Sequence, residues 1–424
     1  MYRLWNFVTT YSLLLVGGAA LALVWANVSF ESYHALVHYT IATNAPIGEL
    51  QPDGTRLLTL HVLVNDLLMA FFFAIAAKEV WEAVILKDGP LRGRKAATPL
   101  IATLGGMAGP VLVYLGLAAI LGSETWNALA HGWAIPTATD IAFAYLVGVV
   151  VFGAGHPAVR FLLLLAIADD AGGLIILAIF YPTAPLVPAW LLVSAAATVA
   201  VFVLANWLPR RLDRHKQDRP NSTWVREKLS FWPYALAGAV SWYAFQESGI
   251  HPALGLLPVV LTLPHADRDF GIFAHREEGM PDLLNRTEDL LKTPVQFILF
   301  LFGLTNAGVE FSSMGSPTWL VLAGLLIGKP LGITAMGWLA AYPLRLGLPD
   351  GMRTADLTAI GFVAAIGFTV ALFVASVAFS PDLMLGAVPV QEAAKMGALL
   401  SFGAAIVAIV MGRVLRVQKR HETT

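Results

Sequence analysis

Asp169 and Asp170 stand side by side in residues 161–180, a run otherwise apolar enough for a lipid bilayer. A carboxylate at membrane depth costs at least a few kcal/mol, and two neighbours cost more because like charges repel. A bound cation, a bound proton or a buried lysine would each offset that cost. Lys329 lies in a second apolar run, Leu325-Leu-Ile-Gly-Lys329-Pro-Leu-Gly-Ile333, with no acid nearby in sequence. It is too deep to snorkel easily, so Asp169 or Asp170 is its natural partner. Asp140, with Thr139 beside it, follows Pro136 in a third apolar run. These residue types at membrane depth point to a site for cations or protons. A hard cation suits carboxylate, hydroxyl and backbone carbonyl oxygens. Burial favours the protonated acid, so protons compete for the same oxygens.

The elements that must position these residues read as membrane helices. The chain has 424 residues, of which 57% are hydrophobic and 13% charged, with no cysteine. Its mean hydropathy is +0.70. No soluble domain hides that much apolar surface, and disulfides and thiolate metal sites are excluded. About twelve spans are expected: residues 11–27, 58–84, 97–121, 132–152, 158–180, 189–208, 231–249, 254–263, 293–307, 319–340, 357–379 and 393–414. The first run continues into Trp25 without a small-residue cleavage site, so it reads as a span and not a leader. With the N-terminus in the cytoplasm, all 27 basic residues but Arg56, Lys78, Lys329 and Lys395 fall on the cytoplasmic side. The positive-inside rule is then met at every loop, and both termini are cytoplasmic.

Two spans look broken. Pro136 removes a helix donor in the fourth, where Thr137, Thr139 and Asp140 can bond the freed backbone. Gly367 and Thr369 lie near the centre of the eleventh. Interrupted helices at corresponding places in two halves point to an inverted-repeat transporter, with repeats near 97–180 and 319–414. The chain is expected to be one membrane domain. An Asp-Gly turn signal at Asp53-Gly54 makes a hairpin plausible at 45–57, although Pro46 and Pro52 weaken the strand reading.

Ala138-Thr-Asp-Ile-Ala-Phe-Ala144, Ala166-Ile-Ala-Asp-Asp170 and Leu326-Ile-Gly-Lys-Pro-Leu-Gly-Ile333 resemble the signature segments of NhaA-type sodium/proton antiporters. Asn65-Asp-Leu-Leu-Met-Ala-Phe-Phe-Phe73, Gly105-Gly-Met107, Ser248-Gly-Ile-His251, Asn306-Ala-Gly-Val309 and Ile366-Gly-Phe-Thr369 are similar too. This family is itself a standard example of inverted repeats with discontinuous helices. The resemblance implies an all-α, twelve-helix protein of the bacterial inner membrane. It would exchange sodium or lithium for more than one proton, be activated at alkaline pH, and often be dimeric, with the hairpin contributing to the dimer. No cofactor and no nucleic-acid partner are expected; the partners are lipid, ions and a second copy of the chain.

Carried over by motif, Asp170 would be the main cation ligand. Asp169 would pair with Lys329 or join the site, and Asp140 with Thr139 would sit where the broken helices cross. Asp140 would offset facing helix N-termini and Lys329 facing C-termini. Lys78, Glu79, Glu82, Glu288 and His251 resemble the family's pH-responsive cluster. Asp66 is a candidate for the ion path. Lys78 before Glu79, Trp81 in a usually basic stretch, Pro252 and Ala365 depart from the family pattern. The extra proton could come from Lys329 or from the second carboxylate. A rival reading is an intramembrane aspartate-dependent enzyme. It is opposed by the adjacency of the pair, whose side chains point about 100° apart on a helix. A potassium antiporter or a proton-coupled carrier of another solute is closer.

Overall fold

In the computed structural model, residues 2–51, 53–85, 96–215, 220–264 and 283–420 are described. Expectations for the loop arginines and lysines at 87–95, for Lys216, Arg219, Arg268 and Arg276, and for Pro52 lie outside the described residues. The chain divides into two compact units. The first comprises Met1–Ala35, Pro90–Ile176 and Phe302–Thr424, and the second Leu36–Gly89 and Leu177–Leu301.

Six helices among the described residues are long and apolar enough to cross a membrane: Leu60–Val84, Ala97–Ile120, Pro157–Phe180, Pro188–Leu212, Ser316–Ala341 and Val390–Val414. Two further spans are bent pairs, Ser123–Thr137 with Ile141–Phe152 at 58° and Thr354–Ala364 with Phe368–Ala378 at 54°. These are the fourth and eleventh segments, the ones with Pro136 and Gly367. The segment at 254–263 is no span-length helix. It holds only the short turns Pro252–Leu254 and Leu257–Val260, because Pro252, Gly255 and Pro258 interrupt it.

In the first unit, the helices Ala97–Ile120 and Ser316–Ala341 meet along glycines. A Cβ at Gly105 would fall 2.1 Å from the Gly332 carbonyl oxygen, and one at Gly109 would fall 2.2 Å from that of Gly328. Gly105-x-x-x-Gly109 faces Gly328-x-x-x-Gly332, so backbone rests on backbone. Lys329 lies between the two glycines of the second pair, and this seam fixes its position. Just before it, Gly324–Gly328 widens to a π-turn. Pro330 has no N–H for the Leu326 carbonyl, and a wider turn absorbs that loss. Gly361 clasps the same proline from the other side, where a Cβ would meet Pro330 Cα at 2.5 Å.

In the second unit a small antiparallel sheet precedes Leu60–Val84. Its strands are β1 (Thr40–Thr43), β2 (Glu49–Leu50) and β3 (Arg56–Thr59), in the order β1-β3-β2. The expected hairpin is therefore three-stranded and begins earlier than 45, with Pro46 in the link between strands. Arg56 donates to the Gly48 carbonyl at 2.9 Å and pairs with Glu247 at 2.6 Å. The basic residue left outside by the charge count thus has a local partner.

Candidate functional site

The two breaks touch through their backbones. Asp140 N–H donates to the Ile366 carbonyl at 2.8 Å, and Thr139 Oγ1 lies 3.2 Å from the Ala364 carbonyl. At Gly367 a Cβ would lie 2.9 Å from the tip of Leu325 and 3.2 Å from the Ala138 carbonyl, so the crossing is tight and a side chain there would make Leu325 shift. Each half-helix that begins here exposes N–H groups with no intrahelical acceptor. One carboxylate serves both. Asp140 Oδ1 accepts from Phe143 N–H at 3.3 Å, the start of Ile141–Phe152. Its Oδ2 accepts from Thr369 N–H at 3.3 Å, the start of Phe368–Ala378, and from the Thr369 hydroxyl. A negative charge between two helix N-termini is stabilised by both dipoles.

On the other side of the crossing lies a three-part cluster. Lys329 Nζ donates to Asp169 Oδ2 at 2.8 Å and to the Thr139 hydroxyl. Thr139 donates its one proton to the same Asp169 oxygen at 2.6 Å. Lys329 and Thr139 are fully buried and Asp169 is 1% exposed, so this ion pair has no access to water. The second oxygen of Asp169, Oδ1, has no hydrogen-bond partner in the protein. Asp170 follows on the same helix, Pro157–Phe180, half-buried and with its Oδ1 shielded from solvent. Beside them Gly172 leaves room for Met107, whose terminal methyl would lie 2.6 Å from an added Cβ. The structure thus brings Asp169, Thr139 and Lys329 into direct contact. Asp140 is engaged by the two helix ends, and Pro136 and Gly367 lie at the breaks.

The remaining candidates fall in the second unit. Lys78 and Glu82 form an i,i+4 ion pair at 3.1 Å, with both residues 5% exposed. Glu79, next on the helix, is half-buried. These are not charges fraying into water at a helix end. His251 does not join them. Its Nε2 lies 3.7 Å from Asp66 Oδ1, while its Nδ1 accepts from Ala253 N–H at 3.2 Å. Twelve helical residues separate Asp66 from Lys78, about 18 Å along the axis. The expected single cluster is therefore two places, Lys78 with Glu82 and Asp66 with His251. Glu288 lies on the helix Leu283–Asn306, and its side chain is outside the described residues.

Two polar residues at the crossing have partners the sequence did not reveal, Thr369, already marked at the break, and Ser401. The Thr369 hydroxyl binds Asp140; a Thr just after a helix break is a local signal for such bonding. Ser401, fully buried, accepts Gly367 N–H at 3.2 Å and donates to the Ala398 carbonyl at 2.6 Å. It comes from a helix 34 residues away, and no local pattern marks it.

Comparison with known proteins adds the following. The family profile described as Na+/H+ antiporter 1 matches residues 3–415. A protein of Jannaschia sp. named Na(+)/H(+) antiporter NhaA is 69% identical over 424 residues, covering 99% of this chain and 100% of the relative. Proteins of the same name from Geobacter metallireducens and Desulfitobacterium hafniense are each 45% identical. The first covers 98% of both chains, and the second covers 99% of this chain and 97% of its own.

Proposed function

The chain belongs to the Na+/H+ antiporter 1 family and is a membrane transporter that exchanges sodium for protons; from that premise we propose that Asp169 and Asp170 hold the exchanged ions and that Lys329 releases one of the protons. The observation that carries this reading is the buried contact of Lys329 with Asp169 and Thr139, one residue from Asp170. In the proton-loaded form Lys329 is an ammonium, Asp169 a carboxylate and Asp170 a carboxylic acid, so the cluster is neutral. Sodium takes the oxygens of Asp170 and Asp169, with backbone carbonyls at the breaks as further hard donors. It displaces the ammonium from Asp169, and without its counter-ion a buried ammonium gives up its proton. Asp170 loses the other. One sodium ion then stands against two protons, and the cycle moves net charge. Asp140 stays a fixed charge holding the two half-helices together, and Thr139 orients Asp169.

In the proposed architecture of inverted repeats near 97–180 and 319–414 the site lies near the membrane's midplane, where the two broken helices cross, and only the loaded site changes its exposure. The charge count supports an inner-membrane topology with both termini in the cytoplasm. The sheet β1-β3-β2 leaves a strand edge on each side, which supports a homodimer joined through this segment. The Lys78–Glu82 pair, with Glu79 and Glu288, and the Asp66–His251 pair are the proposed pH-responsive groups.

Everted vesicles test the reading. A pH-sensitive dye should report proton movement on adding sodium or lithium, and none on adding potassium. Asp170→Asn should abolish it in a protein that still folds. Normal exchange by a well-expressed Asp170→Asn variant would overturn the assignment.

A further inference from the structure

The last described stretch of chain folds back on the first unit. After the helix Ala404–Val414, Arg416 takes a positive φ of 51° and Val417 N–H closes on the Gly412 carbonyl at 3.0 Å. The chain then runs along the loop that follows Ile141–Phe152. Arg420 N–H donates to the Phe152 carbonyl at 2.9 Å, and Gly155 N–H donates to the Arg420 carbonyl at 3.2 Å. Gly153, at φ 83°, makes the approach possible, since a Cβ there would fall 2.3 Å from the Arg420 carbonyl oxygen. The Arg420 guanidinium rests on Gly351, and Arg353 donates to the Arg416 carbonyl at 2.9 Å. Phe152 ends one bent span, and Arg353 immediately precedes Thr354–Ala364 of the other. Residues 416–420 therefore tie together one end of each.

His156 sits among these contacts. It is 3% exposed, its ring stacks on Phe152 with centroids 5.5 Å apart, and its Nδ1 accepts Ala158 N–H at 3.1 Å. That bond exists only while Nδ1 carries no proton. The charged groups that act on it are Asp356 and Arg353 at the start of Thr354–Ala364, and Arg420 of the folded-back chain. The N-terminus of Pro157–Phe180 adds positive partial charge. Only Asp356 favours an imidazolium.

We propose that residues 416–420 are a strap pinning the ends of both bent spans, with His156 as its catch, held while the imidazole is neutral and released when it takes a second ring proton. Burial holds the imidazole below its ordinary value of 6.5; Asp356 pulls upward, and Arg420 and Arg353 add to burial. The strapped state thus binds fewer protons than the released state. Its stability is fully present above that ordinary value and is lost as pH falls below it. In the topology proposed above this end faces the cytoplasm, so acidification there would free the bent spans from each other. The strap itself is a matter of local structure and is tested without that topology.

The chain has no cysteine, so a nitroxide on Lys419→Cys reports the strap alone in detergent-solubilised protein. The label should be immobilised at about pH 8 and mobile at about pH 5, with a midpoint below the ordinary imidazole value. His156→Gln should stay immobilised at both. Arg420→Gln removes a charge that disfavours the imidazolium in the strapped state, so protonation destabilises the strap less and the transition should move to lower pH. Equal mobility at both pH values, or an unchanged transition in His156→Gln, overturns the proposal. Should His156→Gln fail to fold, an Arg420→Gln transition that does not move downward overturns it instead.

Discussion

Replacing Lys329 with alanine removes an ammonium from a place that water does not reach. Asp169 keeps the Thr139 hydroxyl at 2.6 Å and loses its charged partner at 2.8 Å. Breaking a buried pair from one side costs about 3–5 kcal/mol, because the remaining charge is left uncompensated. For a unit of this size about 2–4 °C are lost per kcal/mol, so the melting temperature should fall by roughly 10 °C. Asp169→Asn should also destabilise. The combination should cost less than the two losses added, by about 1–3 kcal/mol, since a neutral amide beside an empty space needs no cation. The assay is thermal unfolding of the purified protein in detergent, followed by tryptophan fluorescence, for the parent, both single variants and the double variant. Simple additivity would refute a direct Lys329–Asp169 interaction, and with it the release of a proton from Lys329.

Adding sodium to detergent-solubilised protein in weak buffer should acidify the medium, and apparent sodium affinity should rise with pH until Asp169 and Asp170 are deprotonated; sodium binding without proton release at any pH would sink the shared site. Thr369→Val should cost about 1.5–3 kcal/mol by removing a hydrogen bond to the Asp140 carboxylate, and Thr369→Ser should restore most of it in the same melting assay. Gly105→Ala should separate the helices that hold Lys329, since its new methyl would meet the Gly332 carbonyl oxygen at 2.1 Å; vesicle exchange should drop at least tenfold, and normal rates would show that the seam can yield. Glutamine at Glu82 should remove the 3.1 Å ion pair with Lys78 and lower the melting temperature, while sodium-linked proton release persists.

What the sequence disclosed followed from cost. A carboxylate pair and a lysine inside apolar runs are expensive, so Asp169, Asp170 and Lys329 stood out before any partner was known. Pro136 and Gly367 announced the two breaks because each alters the backbone itself. The rest depended on long-range contact. The π-turn at Gly324–Gly328 answers the N–H that Pro330 lacks, but a proline does not announce that the loss will be absorbed by a wider turn before it and not by a break. Asp140 shows its own N-cap role locally, but its bond to Thr369 spans 229 positions. Lys78 and Glu82 are named by resemblance as part of a pH-responsive cluster, and their burial as a pair depends on packing that no local pattern marks. His251 was assigned to them by resemblance, whereas its position at the end of the Trp232–Ser248 helix delivers it to Asp66. The short turns at 252–260 show how closely spaced Pro and Gly defeat a hydropathy window, which counts apolar residues and ignores missing donors.

The glycine seam also divides the protein for anyone wishing to make it hardier. Replacing a helical glycine with alanine usually gains about 0.5–1 kcal/mol by restricting the unfolded chain. At Gly105, Gly109, Gly328 and Gly332 that gain is out of reach, because the added carbon would sit inside a neighbouring backbone. At Gly17, Gly116 and Gly173 nothing lies within 4 Å of where it would go. Open helical positions such as these are where heat tolerance can be raised by substitution, while the seam marks residues that a stabilised variant must keep unchanged.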